Sequence, residues 1–381
     1  MQIRTKLPKV GTTIFSVMSQ LAMQHKAVNL GQGFPDFDGP QSLRDALAAA
    51  MNSAKNQYAP MTGVPKLREQ IALKTERLYG RKVSADNEIT VTSGATEALF
   101  AAIAAVVHAG EEVIVLDPCY DSYEPAIELA GARTVHIPLR LPDFSVDWQR
   151  VKDAITAKTR MILINSPHNP SGAVLDTSDL DALAEIARGT EIFILSDEVY
   201  EHIIFDGLAH QSVLRHAELA ARSFVVSSFG KTYHCTGWKV GYCIAPAQLS
   251  AEFRKVHQYL TFCTFSPAQW AFADALERDP KHYLDLPAFY QARRDSFRAL
   301  LAPSKFKLLP VKGAYFQLVD YSTIATKDDL SFCEWLVLEA GVAAIPVSAF
   351  YETPPEARLI RLCFAKSDDT LATAAERLCR L

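Results

Sequence analysis

Seven short runs of apolar and β-branched residues recur through the middle of the chain. They cover residues 88–94, 111–118, 132–139, 160–167, 191–200, 222–229 and 240–246. Apolar residues occupy both faces of each run, as they do in strands that are covered on both sides. The pattern therefore predicts seven strands of one buried sheet.

Stretches with a helix-like pattern separate several of these runs. Residues 95–110 close on Gly110, and residues 177–189 begin with capping residues and close on Gly189. A glycine just after an apolar periodic stretch is a common helix stop. The alternation of strands and helices predicts an α/β fold with a doubly wound, mostly parallel sheet between helices.

The pattern changes after about residue 275. Residues 278–301 read as a helix broken at a proline turn, and the apolar runs that follow alternate with polar segments. A chain of 381 residues also exceeds the ~250–300 residues at which single cores stop growing. We therefore expect a large domain over residues 38–275 and a smaller α+β domain made of residues 1–37 with 276–381.

Composition and charge narrow the classes of partner. The chain is 49% hydrophobic and 22% charged, with a net charge of −4 and no run of basic residues. This argues against nucleic acid or an anionic membrane as a partner. The start of the chain lacks the apolar core of a signal peptide, and no apolar run is long enough to span a membrane. The seven cysteines form no C-x-x-C pair. We expect a cytoplasmic location.

Polar residues follow five of the predicted strands at their carboxyl ends. They are Gly94-Ala95-Thr96, Asp117-Pro118-Cys119-Tyr120, residues 165–170, residues 196–200 and residues 228–231. In open parallel sheets, ligands bind outside the carboxyl ends of the strands. We therefore expect these five segments to meet at one rim of the sheet.

Each of these segments also has a purely structural interpretation. Residues 94–96 fit a turn with a helix cap, residues 168–170 fit a turn, and Asp197 fits a helix cap. A phosphate-binding P-loop is excluded because Val225 stands where that motif needs glycine. The glycine pattern of dinucleotide-binding folds also fails after Gly33, and the ten histidines form no H-x-x-x-H or H-E-x-x-H pair. We therefore expect no metal.

The residue types at this rim suit one cofactor. A buried lysine can form a Schiff base with a carbonyl, and a carboxylate can pair with a pyridinium nitrogen. A helix start, a serine hydroxyl and a second cation can hold a phosphate, and an aromatic ring can stack on a flat heterocycle. These are the requirements of pyridoxal 5′-phosphate.

Six motifs carry a resemblance to a known family. The segment S-S-F-G-K-T-Y-x-x-T-G-W-K-V-G-Y covers residues 227–242. It is accompanied in order by NLGQGFPDF (29–37), NQYAPMTGVPKLR (56–68), NSPHNPSG (165–172), SDEVYE (196–201) and LIRLCFA (359–365). The sequence resembles class I aminotransferases of the aspartate aminotransferase fold, the fold-type I pyridoxal-phosphate-dependent transferases. Within them it is most similar to the branch of kynurenine aminotransferase, glutamine transaminase K and bacterial methionine aminotransferase.

The resemblance implies roles around the cofactor ring. Lys231 corresponds to the Schiff-base lysine that also moves the substrate's proton. Asp197 is expected to hold the ring nitrogen protonated, and Tyr200 and Asn169 are expected to bind the ring's 3-oxygen. Tyr120 is expected to stack on the ring, at a position where relatives often carry Phe or Trp.

The resemblance also implies a phosphate site shared between two chains. The residues of one chain expected to hold the phosphate are Gly94, Ala95, Thr96, Ser228 and Lys239. Some relatives have arginine in place of Lys239, so the cation here is a point charge rather than a planar fork. Tyr58 is expected to reach the phosphate from the partner chain, which makes a homodimer the expected assembly.

The substrate carboxylate is expected to be held by Arg361 and Asn169, with Gly33 nearby. On composition alone the pattern favours a solvent-facing strand residue at Arg361, whereas the resemblance favours contact with the carboxylate. Phe15 and Phe34 are expected in the side-chain pocket, within residues 11–18, 33–37, 58–61, 259–262 and 349–351. Ile14, Tyr58 and Phe350 are further expected members, and none of these segments contains an arginine.

The expected function is the transfer of an amino group from a neutral, sulfur-containing or aromatic L-amino acid, with methionine favoured, to a 2-oxo acid. An alternative on the same scaffold is a β-lyase that cleaves carbon–sulfur bonds of cysteine S-conjugates. A third alternative is a cofactor-binding regulatory protein of this fold, in which a DNA-binding module precedes the domain. The aminotransferase-like sequence begins close to residue 1, so we expect no such module.

Overall fold

The computed structural model describes residues 4–381 of the chain. Its strands are β1 Val28–Asn29, β2 Ile89–Thr92, β3 Glu112–Asp117, β4 Arg133–Pro138, β5 Thr159–Asn165, β6 Phe193–Asp197, β7 Ser223–Ser228, β8 Gly241–Ile244, β9 Lys307–Leu308, β10 Phe316–Asp320, β11 Val342–Ala343, β12 Ile345–Pro346 and β13 Leu359–Cys363. Strands β2 to β8 form one seven-stranded sheet in the order β2-β8-β7-β6-β5-β3-β4. Six of them lie within one of the seven apolar runs and β5 starts one residue before its run, so the predicted sheet is confirmed.

The large sheet is parallel except at β8. This strand pairs antiparallel with both of its neighbours, β2 and β7. The pairs β7–β6, β6–β5, β5–β3 and β3–β4 are all parallel. The carboxyl ends of β2, β3, β5, β6 and β7 therefore point to the same edge of the sheet.

Helices cover both faces of this sheet. The α-helices of the chain as a whole are α1 Ile14–Gln24, α2 Gln41–Met51, α3 Pro65–Tyr79, α4 Gly94–Val106, α5 Tyr123–Leu129, α6 Trp148–Asp153, α7 Thr177–Ala187, α8 Ala217–Ala220, α9 Phe229–Thr232, α10 Ala247–Leu260, α11 Ser266–Arg278, α12 Lys281–Leu301, α13 Asp329–Trp335 and α14 Asp368–Leu378. Along β3, Val113 and Val115 pack in one hydrophobic cluster, with α4, α5 and α10, while Ile114 and Leu116 pack in the other. This two-sided burial explains why the strands are apolar on both faces.

A second, antiparallel sheet of order β12-β13-β10-β9 lies in the last third of the chain, and β13 carries Arg361. Strand β1 pairs in parallel with β11, which joins the start of the chain to this part of the fold. The division at residues 37/38 and 275/276 stays a prediction.

One helix of this region contains an internal proline. Within residues 278–301 the chain breaks at Asp279-Pro280, between α11 and α12, whereas residues 281–301 form a single helix, α12, that continues through Pro287. Pro287 removes one backbone hydrogen bond. The buried side chains Tyr283, Leu286, Tyr290 and Phe297 on both sides of it offset that loss through core packing.

Among the helices in residues 4–381, none combines the length and the apolar character needed to cross a membrane.

Candidate active site

A cavity of about 290 Å³ lies at the carboxyl edge of the large sheet. Fourteen residues from the sequence prediction line it: Phe15, Gly33, Phe34, Gly94, Ala95, Thr96, Tyr120, Asn169, Asp197, Tyr200, Ser228, Lys231, Lys239 and Arg361. The other lining residues are Gln32, Leu99, Asn165, Val199, Thr236, Val240 and Phe316. The fold thus gathers at one place side chains that are up to 346 positions apart in the chain, from Phe15 to Arg361.

Lys231 reaches the cavity from the short helix α9, directly after β7. Its Nζ donates to the carbonyl oxygen of Gly33 at 3.1 Å and lies 5.8 Å from the ring centres of Tyr200 and Tyr315. Burial lowers the pKa of the Lys231 amine to about 8. Roughly a tenth of the amine is therefore neutral at pH 7, and in that form it can act as a nucleophile or accept a proton.

The backbone before Lys231 requires a glycine. A Cβ on Gly230 would lie 2.9 Å from the Cα of Thr236, closer than real side chains approach backbone atoms. Gly230 therefore lets the chain turn sharply between β7 and the segment that follows, and this turn aims Lys231 at the cavity.

Asp197 ends β6 and is buried at the floor of the cavity. Burial raises the pKa of its carboxyl to about 6, against the opposing effect of hydrogen bonds from Tyr123 and from the backbone of Val199. The Tyr123 hydroxyl donates to Oδ2 at 2.6 Å, and the Val199 amide donates to Oδ1 at 3.3 Å. Asp197 is thus mostly ionised at neutral pH, and it can accept a hydrogen bond from a protonated ring nitrogen.

The start of α4 and Lys239 together form a small cationic recess. Gly94 opens α4 with φ +78°, and a Cβ there would lie 3.3 Å from the Nζ of Lys239. A Cβ on Gly241 would lie 2.9 Å from the amide nitrogen of Ala95. These two glycines leave the amide groups of the helix start and the lysine ammonium free of side-chain cover, and Ser228 lies at the same wall. Such a set of donors suits a phosphate group.

Arg361 is the most deeply buried cation of the cavity, with 1% of its surface exposed. Its guanidinium donates to Oδ1 of Asn169 at 2.8 Å and to the carbonyl oxygen of Gly31 at 2.7 Å, and it lies 4.1 Å from the ring centre of Phe316. Within residues 4–381 no carboxylate lies within 4 Å of it, and its Nε has no hydrogen-bond partner. A buried cation without a counter-ion is costly, so an anionic ligand would be strongly favoured there.

Asn169 contacts Arg361, and the ring centre of Tyr200 lies 5.8 Å from the Nζ of Lys231. The backbone amide of Asn169 donates to Oδ1 of Asn165, whose own side-chain amide donates to the carbonyl oxygen of Asp197. The side-chain Oδ1 of Asn169 accepts from Arg361. The ring of Tyr200 meets that of Tyr315 edge-on, with centres 5.0 Å apart. These contacts fix both side chains before any ligand binds.

Some expected residues lie away from the cavity of their own chain. Tyr58 is 82% exposed and packs edge-on against Phe262, with ring centres 5.3 Å apart. Residues 259–262 and Ile14 are not among the lining residues, and Phe350 lies behind Arg361, 5.4 Å from the guanidinium. A single chain therefore supplies only part of the expected side-chain pocket.

Three contributors were not expected from the sequence. They are Tyr123, which bonds to Asp197; Tyr315, whose hydroxyl donates to the Gly33 carbonyl at 2.7 Å; and Phe316, which stacks on Arg361. Tyr315 and Phe316 lie in an apolar run, where core packing is the ordinary interpretation, and Tyr123 stands between Ser122 and Glu124 in a polar stretch. A hydroxyl on an otherwise apolar run was the one available signal for Tyr315, because buried hydroxyls need partners.

The comparisons with known proteins agree with this arrangement. The model of the family "Aminotransferase class I and II" matches residues 25–378. The chain is 57% identical over 378 residues to methionine aminotransferase of Escherichia coli K12, covering 99% of this chain and 98% of that protein. It is 33% identical over 402 residues to human kynurenine–oxoglutarate transaminase 3, covering 97% of this chain and 88% of that protein.

Among solved structures, the chain is similar to YbdL from Escherichia coli, whose structure and reactivity identify a methionine aminotransferase function. The TM-score is 0.98 at 56% identity, and the match covers 100% of both chains. The resemblance drawn from the six motifs is confirmed by these matches.

Proposed function

The chain belongs to the family of class I and II aminotransferases, and on this premise we propose that it moves the amino group of methionine to a 2-oxo acid with bound pyridoxal 5′-phosphate. The aminotransferase activity itself follows from the family. The cofactor, the preferred amino acid, the roles of individual residues and the assembly are the proposal.

The residues of the cavity fit this cofactor. The recess formed by Gly94, Ala95 and Lys239 suits its phosphate, and the ionised carboxyl of Asp197 suits a protonated ring nitrogen. When bound, pyridoxal 5′-phosphate supplies a carbonyl that carries the amino group and a ring that draws electrons from the substrate's Cα–H bond. Tyr120 lies in the cavity wall and suits stacking on such a ring.

Lys231 is the residue to which we assign attachment of the cofactor and movement of the proton at the substrate Cα. Its amine is desolvated, has a lowered pKa and has no carboxylate partner within 4 Å in residues 4–381. It can therefore be neutral when it must attack or accept a proton, and protonated when it must donate one.

Arg361 is the residue to which we assign the substrate's α-carboxylate. Its unpartnered Nε and the absence of a carboxylate within 4 Å among the described residues support this. Asn169, already bonded to Arg361, would orient the same carboxylate, and the carbonyl of Gly33 fixes the loop beside it. A carboxylate held in this way places the amino group toward Lys231.

The preference for a neutral side chain rests on one observation: the cations of the cavity wall. They are Lys231, Lys239 and Arg361, and each already has a role. The remaining wall is rich in aromatic rings, Phe15, Phe34 and Phe316 among them. Such a wall rewards each buried CH₂ by about 0.8 kcal/mol and gives a side-chain carboxylate no partner.

The proposed assembly is a homodimer with shared sites. Tyr58 and Tyr259 are 82% and 86% exposed, and Phe262 and Phe265 are also exposed, so one surface carries several large aromatic rings. Exposed aromatic clusters of this kind favour a protein interface. A second copy docked there would bring Tyr58 and residues 259–262 to its neighbour's cavity.

The test is a comparison of kcat/KM for methionine, phenylalanine and aspartate with one common 2-oxo acid, with pyruvate and ammonia release followed in parallel. We expect methionine to exceed aspartate by at least about tenfold, a difference of about 1.4 kcal/mol. The variant Phe15→Ala should lower the value for methionine more than that for aspartate. An aspartate value equal to that of methionine would contradict the proposed preference, and release of pyruvate and ammonia from a cysteine S-conjugate in place of transamination would indicate a β-lyase.

A further inference from the structure

A histidine–carboxylate pair is buried at the first turn of α4. His257, from α10, has no exposed surface, and its Nδ1 lies 2.5 Å from Oε1 of Glu97. The second oxygen of Glu97, Oε2, accepts a hydrogen bond of 2.5 Å from the backbone amide of Ser93. Ser93 is the residue that precedes α4. Neither His257 nor Glu97 lines the cavity, and the proposed function uses neither of them.

The hydrogen-bond partners determine how many protons this pair holds. The Nε2 of His257 faces the carbonyl oxygen of Met61 at 2.9 Å, and a carbonyl can only accept, so Nε2 carries a hydrogen. The short contact between Nδ1 and Glu97 requires one more proton between them. Whether that proton lies on the imidazole or on the carboxyl, the pair as a unit has no net charge.

The neutrality of this pair matters because of its position. Glu97 lies in the same first turn as Ala95 and Thr96, where the proposed phosphate would bind. The start of a helix carries a partial positive charge of only about +0.5, and a bare carboxylate in its first turn would cancel it for an incoming dianion. Among the described residues, His257 is the basic side chain that lies within 4 Å of Glu97.

The same imidazole also holds the segment that carries Tyr58. Met61 is three residues from Tyr58, and its carbonyl is bound by His257. Nearby, the backbone amide of Ala59 donates to the hydroxyl of Ser266, and the carbonyl oxygen of Thr62 accepts from the backbone amide of Val91. His257 thus joins α4 to the segment proposed to contribute Tyr58 to the neighbouring site.

We propose that His257 is a positioning residue that keeps Glu97 neutralised, so that the start of α4 accepts a cofactor that bears a phosphate dianion. The pair sets the preference for a phosphorylated cofactor over the same ring without phosphate. This inference rests on the proposed function, because it assumes that pyridoxal 5′-phosphate binds in the cavity.

The experiment measures the dissociation constants of pyridoxal 5′-phosphate and of pyridoxal, which lacks the phosphate, on cofactor-free full-length protein. The parent is compared with His257→Gln, Glu97→Gln, the double variant and Lys255→Gln. Lys255 is the matched control, because it is a cation on the same helix whose side chain is exposed and pairs with Glu252. The quantity of interest is the ratio of the pyridoxal constant to the pyridoxal 5′-phosphate constant.

We expect His257→Gln to lower this ratio at least tenfold, which corresponds to about 1.4 kcal/mol. Glu97→Gln and the double variant should keep the ratio within about threefold of the parent, since neither leaves a carboxylate without its proton partner. Lys255→Gln should leave the ratio unchanged.

Equal weakening of both ligands by His257→Gln would show a purely structural role and overturn the inference, as would failure of the double variant to restore the ratio. If His257→Gln does not fold, Glu97→Gln decides: a tenfold fall in its ratio overturns the inference, and a retained ratio supports it. A parent protein that binds neither ligand would instead contradict the proposed cofactor.

Discussion

Replacing Tyr123 with phenylalanine should shift the pH dependence of cofactor binding upward. The Tyr123 hydroxyl donates to Oδ2 of Asp197 at 2.6 Å, and this bond stabilises the carboxylate against the burial that raises the pKa of Asp197 to about 6. Removal of the donor destabilises the charged form and leaves only the existing bond from the backbone amide of Val199 to the other oxygen, Oδ1. The pKa of Asp197 must therefore rise further.

The size of the shift follows from the strength of this bond. A hydrogen bond to a charged group contributes about 1.5–3 kcal/mol, and one pKa unit corresponds to about 1.4 kcal/mol. The pKa of Asp197 should thus rise by about one to two units in Tyr123→Phe. In the proposed site the ionised carboxyl binds the protonated ring nitrogen, so cofactor affinity is expected to fall as the pH drops through this pKa. In the variant the fall should begin at higher pH.

The assay is the dissociation constant of pyridoxal 5′-phosphate on cofactor-free protein, measured by absorbance between about pH 5 and pH 9. The same cofactor is titrated in every protein, so its own ionisation cancels in the comparison. Tyr290→Phe serves as the control, because it also removes a buried tyrosine hydroxyl, one that bonds to His234 rather than to Asp197. An unchanged or lowered midpoint in Tyr123→Phe would refute the reasoning.

Two further predictions concern the substrate carboxylate and the assembly. Arg361→Gln should raise the KM for both amino acid and 2-oxo acid by about 100-fold, because it removes a charged pair of hydrogen-bond donors. The affinity for the cofactor should change less. An unchanged KM in steady-state assays would contradict the assignment of Arg361 to the substrate carboxylate. Mixing the inactive variants Lys231→Ala and Tyr58→Ala should restore part of the activity in heterodimers. No recovery in heterodimers demonstrated by mass spectrometry would indicate that each site is built from one chain.

The large sheet was predictable because strands that are buried on both faces consist of continuous runs of apolar residues, which are visible in the sequence. The run at residues 160–167 became β5, and the run at 222–229 became β7, within a residue or two at each end. The direction of β8 could not be predicted in the same way, since an apolar strand reads alike in both directions. The continuous helix through Pro287 was also missed, because its packing partners lie elsewhere in the chain.

Some residues of the active-site region could be predicted from the sequence, and others could not. Lys231 and Asp197 stand at strand ends, where unusual polar residues are conspicuous, and the structure places both at the cavity. Tyr123 was missed because its bond to Asp197 joins residues 74 positions apart, a contact that local pattern does not encode. His257 and Glu97 are 160 positions apart and each fits an ordinary helix, so their pairing was equally hidden.

Covalent trapping of the cofactor tests the central claim most directly. Reduction of the yellow holoenzyme with borohydride, followed by proteolysis and mass spectrometry, should place the cofactor on the peptide that contains Lys231, and Lys231→Ala should lose nearly all transamination because attachment and proton transfer both fail. Trapping on Lys239 or Lys255, or a Lys231→Ala enzyme that still transaminates at a rate close to the parent, would contradict the account.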